Sequence, residues 1–305
     1  YSFSRPPAYP VPEFGYSWVW PFGPRVMNGL TALWSAAASG FFLLALRASG
    51  VRLAAAVLGA LALACTPVVY LNSIVTLDYI WALALVCGAL WRALRRDPVA
   101  AGIFLGLAGG SRITSLALVL PLAILFWRGT EVKRSLMNII SFGITALAAA
   151  GFCYVPVFRR YGMSFLSFAD EPLAPGFFRH MLEYGTTIGV WGVLGTAGLG
   201  LALAVFLLCP RGSIRNSSVN RPANSHVGLA SVIAVAVVAA AFVRLPMEYA
   251  YLIPLVPFVL MLAAHYAHRW AFVMLSVMLM GSPFLMDLTP GLKWRIRGGL
   301  LDESA

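Results

Sequence analysis

Residues 98–127 read PVAAGIFLGLAGGSRITSLALVLPLAILFW, an apolar stretch broken only around Gly109-Gly110-Ser111-Arg112. As one α-helix it would extend about 45 Å at 1.5 Å per residue, too long for an upright crossing of a hydrocarbon core about 30 Å thick. Two short helices meeting at the Gly-Gly-Ser-Arg break fit a bilayer better. Gly102, Gly106 and Gly110 recur every four residues on one helical face, which reads as a seat for a closely packed neighbouring helix.

Working outward, apolar runs long enough for membrane helices fall at 26–46, 53–70, 79–94, 136–157, 190–208, 227–243, 250–264 and 270–286. The 305 residues are 60% hydrophobic and 11% charged, with a mean hydropathy of +0.83. Soluble domains run at roughly 45–50% apolar and about 25% charged. One water-facing globule cannot hide this much apolar surface, and disorder needs far more polarity. The expected fold is all-α: a polytopic transmembrane helix bundle of about eight to ten membrane helices, the pair at 98–127 included, with amphipathic surface helices. Residues 1–25 are expected as an extracytoplasmic loop segment, 26–286 as the membrane domain and 287–305 as a tail. Within the membrane domain, 158–189 mixes aromatics with charge and reads as an amphipathic loop on the extracytoplasmic side. The opening YSFSRPPAYPVPEF carries no apolar signal-peptide core, and with Tyr1 in first position an upstream segment is expected.

The 22 basic and 11 acidic residues give a net charge of +11. The basic residues cluster between apolar runs, as membrane-flanking loops do, and nucleic acid is not an expected partner. Charge counting leaves the 98–127 topology open. A hairpin puts 12 of the 22 cations inside, and a single crossing gives about the same split. The basic tail Lys293-Trp294-Arg295-Ile296-Arg297 argues against the hairpin, which would place it outside. The acids argue for it: Glu13, Asp78, Asp170, Glu171, Glu183 and Glu248 would then share one face, opposite short basic connectors carrying only Asp97 and Glu131.

Several motifs read as packing. Cys65, Cys87, Cys153 and Cys209 lie in or beside apolar runs without metal spacing. Gly195-Thr196-Ala197-Gly198-Leu199-Gly200 has no strand before it, so dinucleotide binding is not expected. His265 and His268 sit in a short connector beside Arg269, where an ordinary structural role is the simpler reading.

Four constellations suit chemistry. Arg5-Pro6-Pro7-Ala8-Tyr9-Pro10 reads as an extended surface loop or as a linker into the first span. Asp78 precedes an apolar helix, where it caps free N–H groups or presents a carboxylate at a membrane mouth. Arg112 lies at the helix break, where a guanidinium pairs, lines a cavity or snorkels. Arg244-Leu245-Pro246-Met247-Glu248-Tyr249 leads into a span interrupted by Pro254 and Pro257, with Arg244 and Glu248 spaced to pair.

In this order RPPAYP, NGLTALWSAAASGFFLLALR, TPVVYLNSIVTLDYIWALAL, AGIFLGLAGGSRITSLALVLPLAIL and RLPMEYAYLIPLVPFVL resemble the GT-C superfamily of integral-membrane glycosyltransferases. The nearest branch is the bacterial one related to protein O-mannosyltransferases and lipid A aminoarabinose transferases. Pro6-Pro7-Ala8-Tyr9-Pro10 matches the family's PPGYP-like stretch with Ala for Gly. Pro67 and Asp78 match its acid after a Pro-containing helix end. Gly102, Gly106 and Arg112 match its Gly-rich short helix, and Pro246, Glu248, Tyr251, Pro254 and Pro257 match its later Pro-rich stretch. The resemblance covers residues 5–130 and 240–265.

The resemblance implies inverting transfer of a sugar from a polyprenyl-phosphate donor to a glycan, lipid or protein hydroxyl. The reaction would take place on the outer face of a bacterial cytoplasmic membrane, as part of cell-envelope synthesis. It implies Arg112 and Arg244, with Arg5 as a weaker third, for the donor phosphate, because a guanidinium offers a fixed, permanently charged fork. Asp78, Glu248, Tyr249 and Tyr9 are the implied substrate contacts. The family's general base precedes its PPGYP-like stretch, so it is expected upstream of Tyr1, and Glu13 lies on the wrong side to replace it. No cofactor is implied; a divalent cation, used in some branches, would have only Asp78 and Glu248 as acidic ligands. The rival expectations are a transporter or lipid flippase and a non-catalytic envelope scaffold.

Overall fold

The computed structural model describes residues 8–162, 187–208, 223–244, 249–288 and 294–296. The chain opens with α1 (Pro10–Val19), a 3₁₀ turn (Trp20–Phe22) and α2 (Pro24–Ala48). Next come α3 (Leu53–Cys65), α4 (Pro67–Ser73), α5 (Tyr79–Leu94) and α6 (Pro98–Ser111). A 3₁₀ segment (Ile113–Leu118) leads into α7 (Val119–Ile124), followed by α8 (Val132–Tyr161). The later helices are α9 (Thr187–Leu208), α10 (Ala223–Arg244), α11 (Val256–Tyr266), which follows the 3₁₀ turn Tyr249–Leu255, and α12 (Arg269–Gly281). A 3₁₀ turn (Ser282–Leu285) then leads into a short antiparallel ribbon, Met286–Leu288 with Trp294–Ile296. The protein is therefore an all-α helix bundle. Five of its helices are long and apolar enough to cross a membrane, and a sixth crossing is formed if α3 and α4, bent by 64°, count as one.

Proline sets many of the boundaries. Pro10, Pro24, Pro67 and Pro98 each open a helix, where the missing N–H is one that no helix could use. Residues 1–25, expected as an extracytoplasmic loop segment, thus contain a helix at Pro10–Val19, just after the Arg5–Pro10 stretch read as an extended loop or linker. With Pro10 and Pro12 both in a first turn, the chain coils into α1 before it reaches the first span. The same rule divides the expected 53–70 run. Thr66 before Pro67 is driven to an extended conformation (φ −59°, ψ 125°), and the helix bends there.

The 98–127 stretch is a hairpin. At Arg112 the backbone opens to φ −152°, ψ 116°, which ends α6 and reverses the chain. At the far end the Arg96 guanidinium, just before α6, donates to the Leu125 carbonyl, just after α7. Both ends of the pair therefore lie at one end of the bundle, called here the clasp end. Ser49 and His265 meet across the bundle, their Oγ and Nε2 atoms 2.9 Å apart, where α2 and α11 finish. Two helix ends there close in the same way. Val51 N–H donates to Leu46 O and Gly50 N–H to Arg47 O; Asp97 N–H donates to Arg92 O and Arg96 N–H to Ala93 O. The left-handed residue is Gly50 (φ +95°) in the first and Arg96 (φ +64°) in the second.

Helix α5 is the hub: thirteen of its sixteen residues are buried, so it is apolar all round because protein surrounds it. Helix α8 is the opposite case. Leu136, Met137, Ile140, Ile144, Leu147 and Phe152 are all exposed, a stripe that water would penalise and hydrocarbon does not. The glycine face of α6 packs on α8. A Cβ at Gly106 would overlap Ala149 and lie 2.5 Å from the Ala146 carbonyl; one at Gly102 would overlap Thr145. Gly110 serves two neighbours, Cys153 of α8 and Val11 of α1, each 2.8 Å from where its Cβ would stand.

Gly106→Ala is expected to destabilise the detergent-solubilised protein by about 1–3 kcal/mol, the usual penalty for overpacking. Gly143→Ala, on α8 with open space around it, should leave the melting temperature unchanged. Equal melting temperatures for both variants would show that the α6–α8 seam tolerates a methyl group.

Candidate functional site

The end of the bundle opposite the clasp gathers residues that are remote in sequence. Asp78 sits immediately before α5, Tyr79 is the first residue of that helix, and Arg112 occupies the α6–α7 hinge. Arg112 Nη1 donates to Asp78 Oδ2 at 2.5 Å, and both residues are 6% exposed. Three tyrosine rings enclose the guanidinium: its Cζ lies 3.8 Å from the centre of Tyr79, 4.9 Å from Tyr251 and 5.6 Å from Tyr9. Tyr79 and Tyr251 also meet edge to face, 6.0 Å between ring centres.

The local backbone explains the placement. Arg112 N–H closes the last turn of α6 on Ala108 O (2.7 Å), and Ser115 N–H starts the next turn on Arg112 O (2.9 Å). The extended residue between them turns its side chain across the bundle end toward α5. Tyr9 is held from beneath: the Tyr154 hydroxyl lies 3.3 Å from the Ala8 carbonyl and 3.4 Å from that of Gly109. Ala8 itself has φ +78°, a left-handed conformation that costs an alanine roughly 1–2 kcal/mol and persists because its surroundings fix it.

A second group of bonds braces the approach to Asp78. Thr76 Oγ1 donates to Asn28 Oδ1 at 2.6 Å. The Tyr16 hydroxyl accepts from Trp81 Nε1–H (2.9 Å), shares a hydrogen bond with Thr31 (2.7 Å) and reaches the Leu77 carbonyl (3.1 Å). Burial pushes the Tyr16 phenol above its usual range, so it stays protonated and able to donate.

These contacts decide between the sequence readings. The Asp78 carboxylate does not cap α5; it goes to Arg112. Arg112 does not snorkel, because it is buried and paired. Tyr9, Asp78 and Arg112 come together as one cluster, and Tyr249, half-buried, shares the 3₁₀ turn of Tyr251. Arg244 closes α10. Arg5, Glu248, Cys209 and most of the 158–189 segment lie outside the described residues. Tyr79 and Tyr251, two walls of the cluster, were given no role by sequence; the available signal was aromatic residues beside the acid and beside the broken span. His265 bonds Ser49 at the clasp end, and His268 N-caps α12, accepting from Trp270 N–H. Among the described residues no three His, Cys, Asp or Glu side chains gather as a metal site would need.

Chemically, the cluster is a buried guanidinium among three aromatic rings, with one carboxylate, at one end of the bundle. Ring faces stabilise a buried cation by about 0.5–2 kcal/mol each. They also leave the planar fork pointed in a fixed direction, the condition for recognising a phosphate or carboxylate. No family model, curated protein or solved structure matches the chain.

Removing one partner strands a buried charge, so Arg112→Ala and Asp78→Ala are each expected to destabilise by about 3–5 kcal/mol. The double variant should lose clearly less than the sum, with a coupling above about 1 kcal/mol in a double-mutant cycle read by unfolding in mixed detergent. Additive losses would mean that the two side chains do not interact.

Proposed function

We propose that the protein is a membrane glycosyltransferase, moving a sugar with inversion from a polyprenyl-phosphate donor to an acceptor hydroxyl. One observation carries the reading: Tyr9, Asp78, Arg112 and the Tyr249–Tyr251 turn, drawn from separate motifs, converge at one end of the bundle. In this scheme that end stands at the membrane surface, where a prenyl tail would lie in lipid and an acceptor would come from water.

Each residue has a role in this scheme. A guanidinium has five N–H donors, more than one carboxylate oxygen takes, so Arg112 can hold Asp78 and still receive a phosphate oxygen. Stabilising the departing phosphate is where such a cation accelerates transfer, because negative charge grows there in the transition state. Arg244 is the second phosphate contact in the proposal, and Glu248 and Tyr249 are its proposed substrate contacts. Asp78 orients Arg112 and binds a sugar or acceptor hydroxyl; it is not assigned as the general base.

Charge supports an outward-facing site. At the clasp end stand Arg47, Arg52, Arg92, Arg95, Arg96, Arg128, Lys133, Arg134 and Arg269, the excess expected on a cytoplasmic side. The membrane is accordingly proposed to be a bacterial cytoplasmic membrane and the product a cell-envelope glycoconjugate. One observation favours the scaffold reading instead: the Asp78–Arg112 pair is internally neutral and buried, as a purely structural link would be.

Transfer of labelled sugar from a polyprenyl-phosphate donor, in membranes carrying the full-length protein, separates the readings. Arg112→Lys keeps a charge for Asp78 but loses the planar fork. It is expected to retain the fold and to lower the rate by about 10²–10³, with Arg244→Ala falling in the same range. Unchanged transfer in both variants would overturn the phosphate role. Movement of the donor across vesicles with no glycosylated product would make the protein a flippase.

A further inference from the structure

The clasp end carries a second charged cluster, at the opposite end of the bundle from the tyrosine-lined pair. The Arg96–Leu125 bond brings the α5–α6 connector against the α7–α8 connector. The two connectors and their flanks carry six cations, Arg92, Arg95, Arg96, Arg128, Lys133 and Arg134, with two acids, Asp97 and Glu131. Both acids are already engaged: Asp97 lies 3.5 Å from Arg92, and Glu131 lies 3.5 Å from Arg134. Arg95, Arg96, Arg128 and Lys133 therefore form an uncompensated group. Burial, and then the neighbouring Arg128 guanidinium, lowers the proton affinity of Arg96.

The surface is built, not merely charged. Ser135, 2% exposed, receives the Arg128 N–H on its Oγ at 2.8 Å and donates to the Arg128 carbonyl at 3.2 Å, which fixes the connector. A depression of about 620 Å³ lies beside it, lined among others by Thr130, Lys133, Arg134 and Met137. Immediately beyond, Trp127 on the connector and Val132, Leu136, Met137 and Ile140 on α8 are all exposed and apolar, the last four running down the helix away from the charges. A compact anion would use the charges alone. Only an amphiphile uses both the charges and the stripe below them.

We propose that Arg95, Arg96, Arg128 and Lys133 hold the phosphodiester headgroup of an anionic phospholipid whose acyl chains lie along the exposed face of α8. Basic pockets between membrane helices at their polar ends take such headgroups, and the flanking hydrocarbon supplies the rest of the affinity. The bound lipid neutralises the like charges that the Arg96–Leu125 clasp forces together. It thereby stabilises the hairpin independently of any reaction at the opposite end.

The test uses the full chain purified in a mild non-ionic detergent and titrated with short-chain phosphatidylglycerol, the same-chain phosphatidylcholine, or inorganic phosphate. Binding is read by native mass spectrometry and by melting temperature. Phosphatidylglycerol is expected to bind saturably and raise the melting temperature, while phosphatidylcholine and phosphate do neither. Arg95→Gln with Arg128→Gln, two exposed side chains outside the clasp bond, should weaken phosphatidylglycerol binding by about 30-fold. Arg269→Gln, at the same end but on another connector, should leave it unchanged. Equal binding of phosphatidylcholine would overturn the headgroup site, and an equal effect of phosphate would make it a free-anion site. Undiminished binding in the double variant would remove the named residues from it.

Discussion

The buried ion pair between Asp78 and Arg112 is the constraint around which the bundle is organised. It ties the start of α5, a helix buried on nearly all sides, to the hinge of the α6–α7 hairpin. Removing two charges from water is expensive, and a single contact at low dielectric seldom repays it alone. Here Tyr9, Tyr79 and Tyr251 complete the enclosure, so solvation lost from water is replaced by ring faces and by the partner charge. Because the enclosing rings come from α1, α5 and the turn before α11, the pair draws three otherwise separate parts of the chain to one point.

Hydrocarbon as the surrounding solvent explains the remainder of the packing. Apolar side chains gain little by hiding from lipid, so α8 can leave most of one face uncovered while α5 is buried on all sides. What holds α6 to α8 is close backbone approach, made possible by Gly102, Gly106 and Gly110. Among the described residues the side-chain bonds that join different elements gather toward helix ends: Thr76 to Asn28 and Trp81 to Tyr16 at one end, Ser49 to His265 and Arg96 to Leu125 at the other.

The spans were legible in the sequence because length and hydropathy suffice to find them, and the Gly-Gly-Ser-Arg break was legible because glycine and a charge interrupt an apolar run. The direction taken by the chain after that break was not. Cation counts were nearly equal for both topologies, and the deciding contact ends on a backbone carbonyl, Leu125 O, which leaves no mark in residue identity. Helix α1 was missed for a related reason: prolines in a row suit both an extended path and the first turn of a helix, and only the seat on Tyr154 and Gly110 distinguishes them. At the candidate site the charged members were found from sequence, since charge is rare in an apolar chain. Of the tyrosines, Tyr9 was named through the resemblance and Tyr251 only as a motif member, while Tyr79 was passed over, because aromatic residues at helix ends are common in membrane proteins and carry no individual signal.

The hairpin also has a consequence in terms of parity. Two short helices that leave and return to the same end add an even number of passages, so every connector after Trp127 keeps the side it would occupy if residues 98–127 were absent. Charges in those later connectors therefore specify their own placement without reference to the segment. A module of this kind can be remodelled or replaced without inverting the rest of the protein.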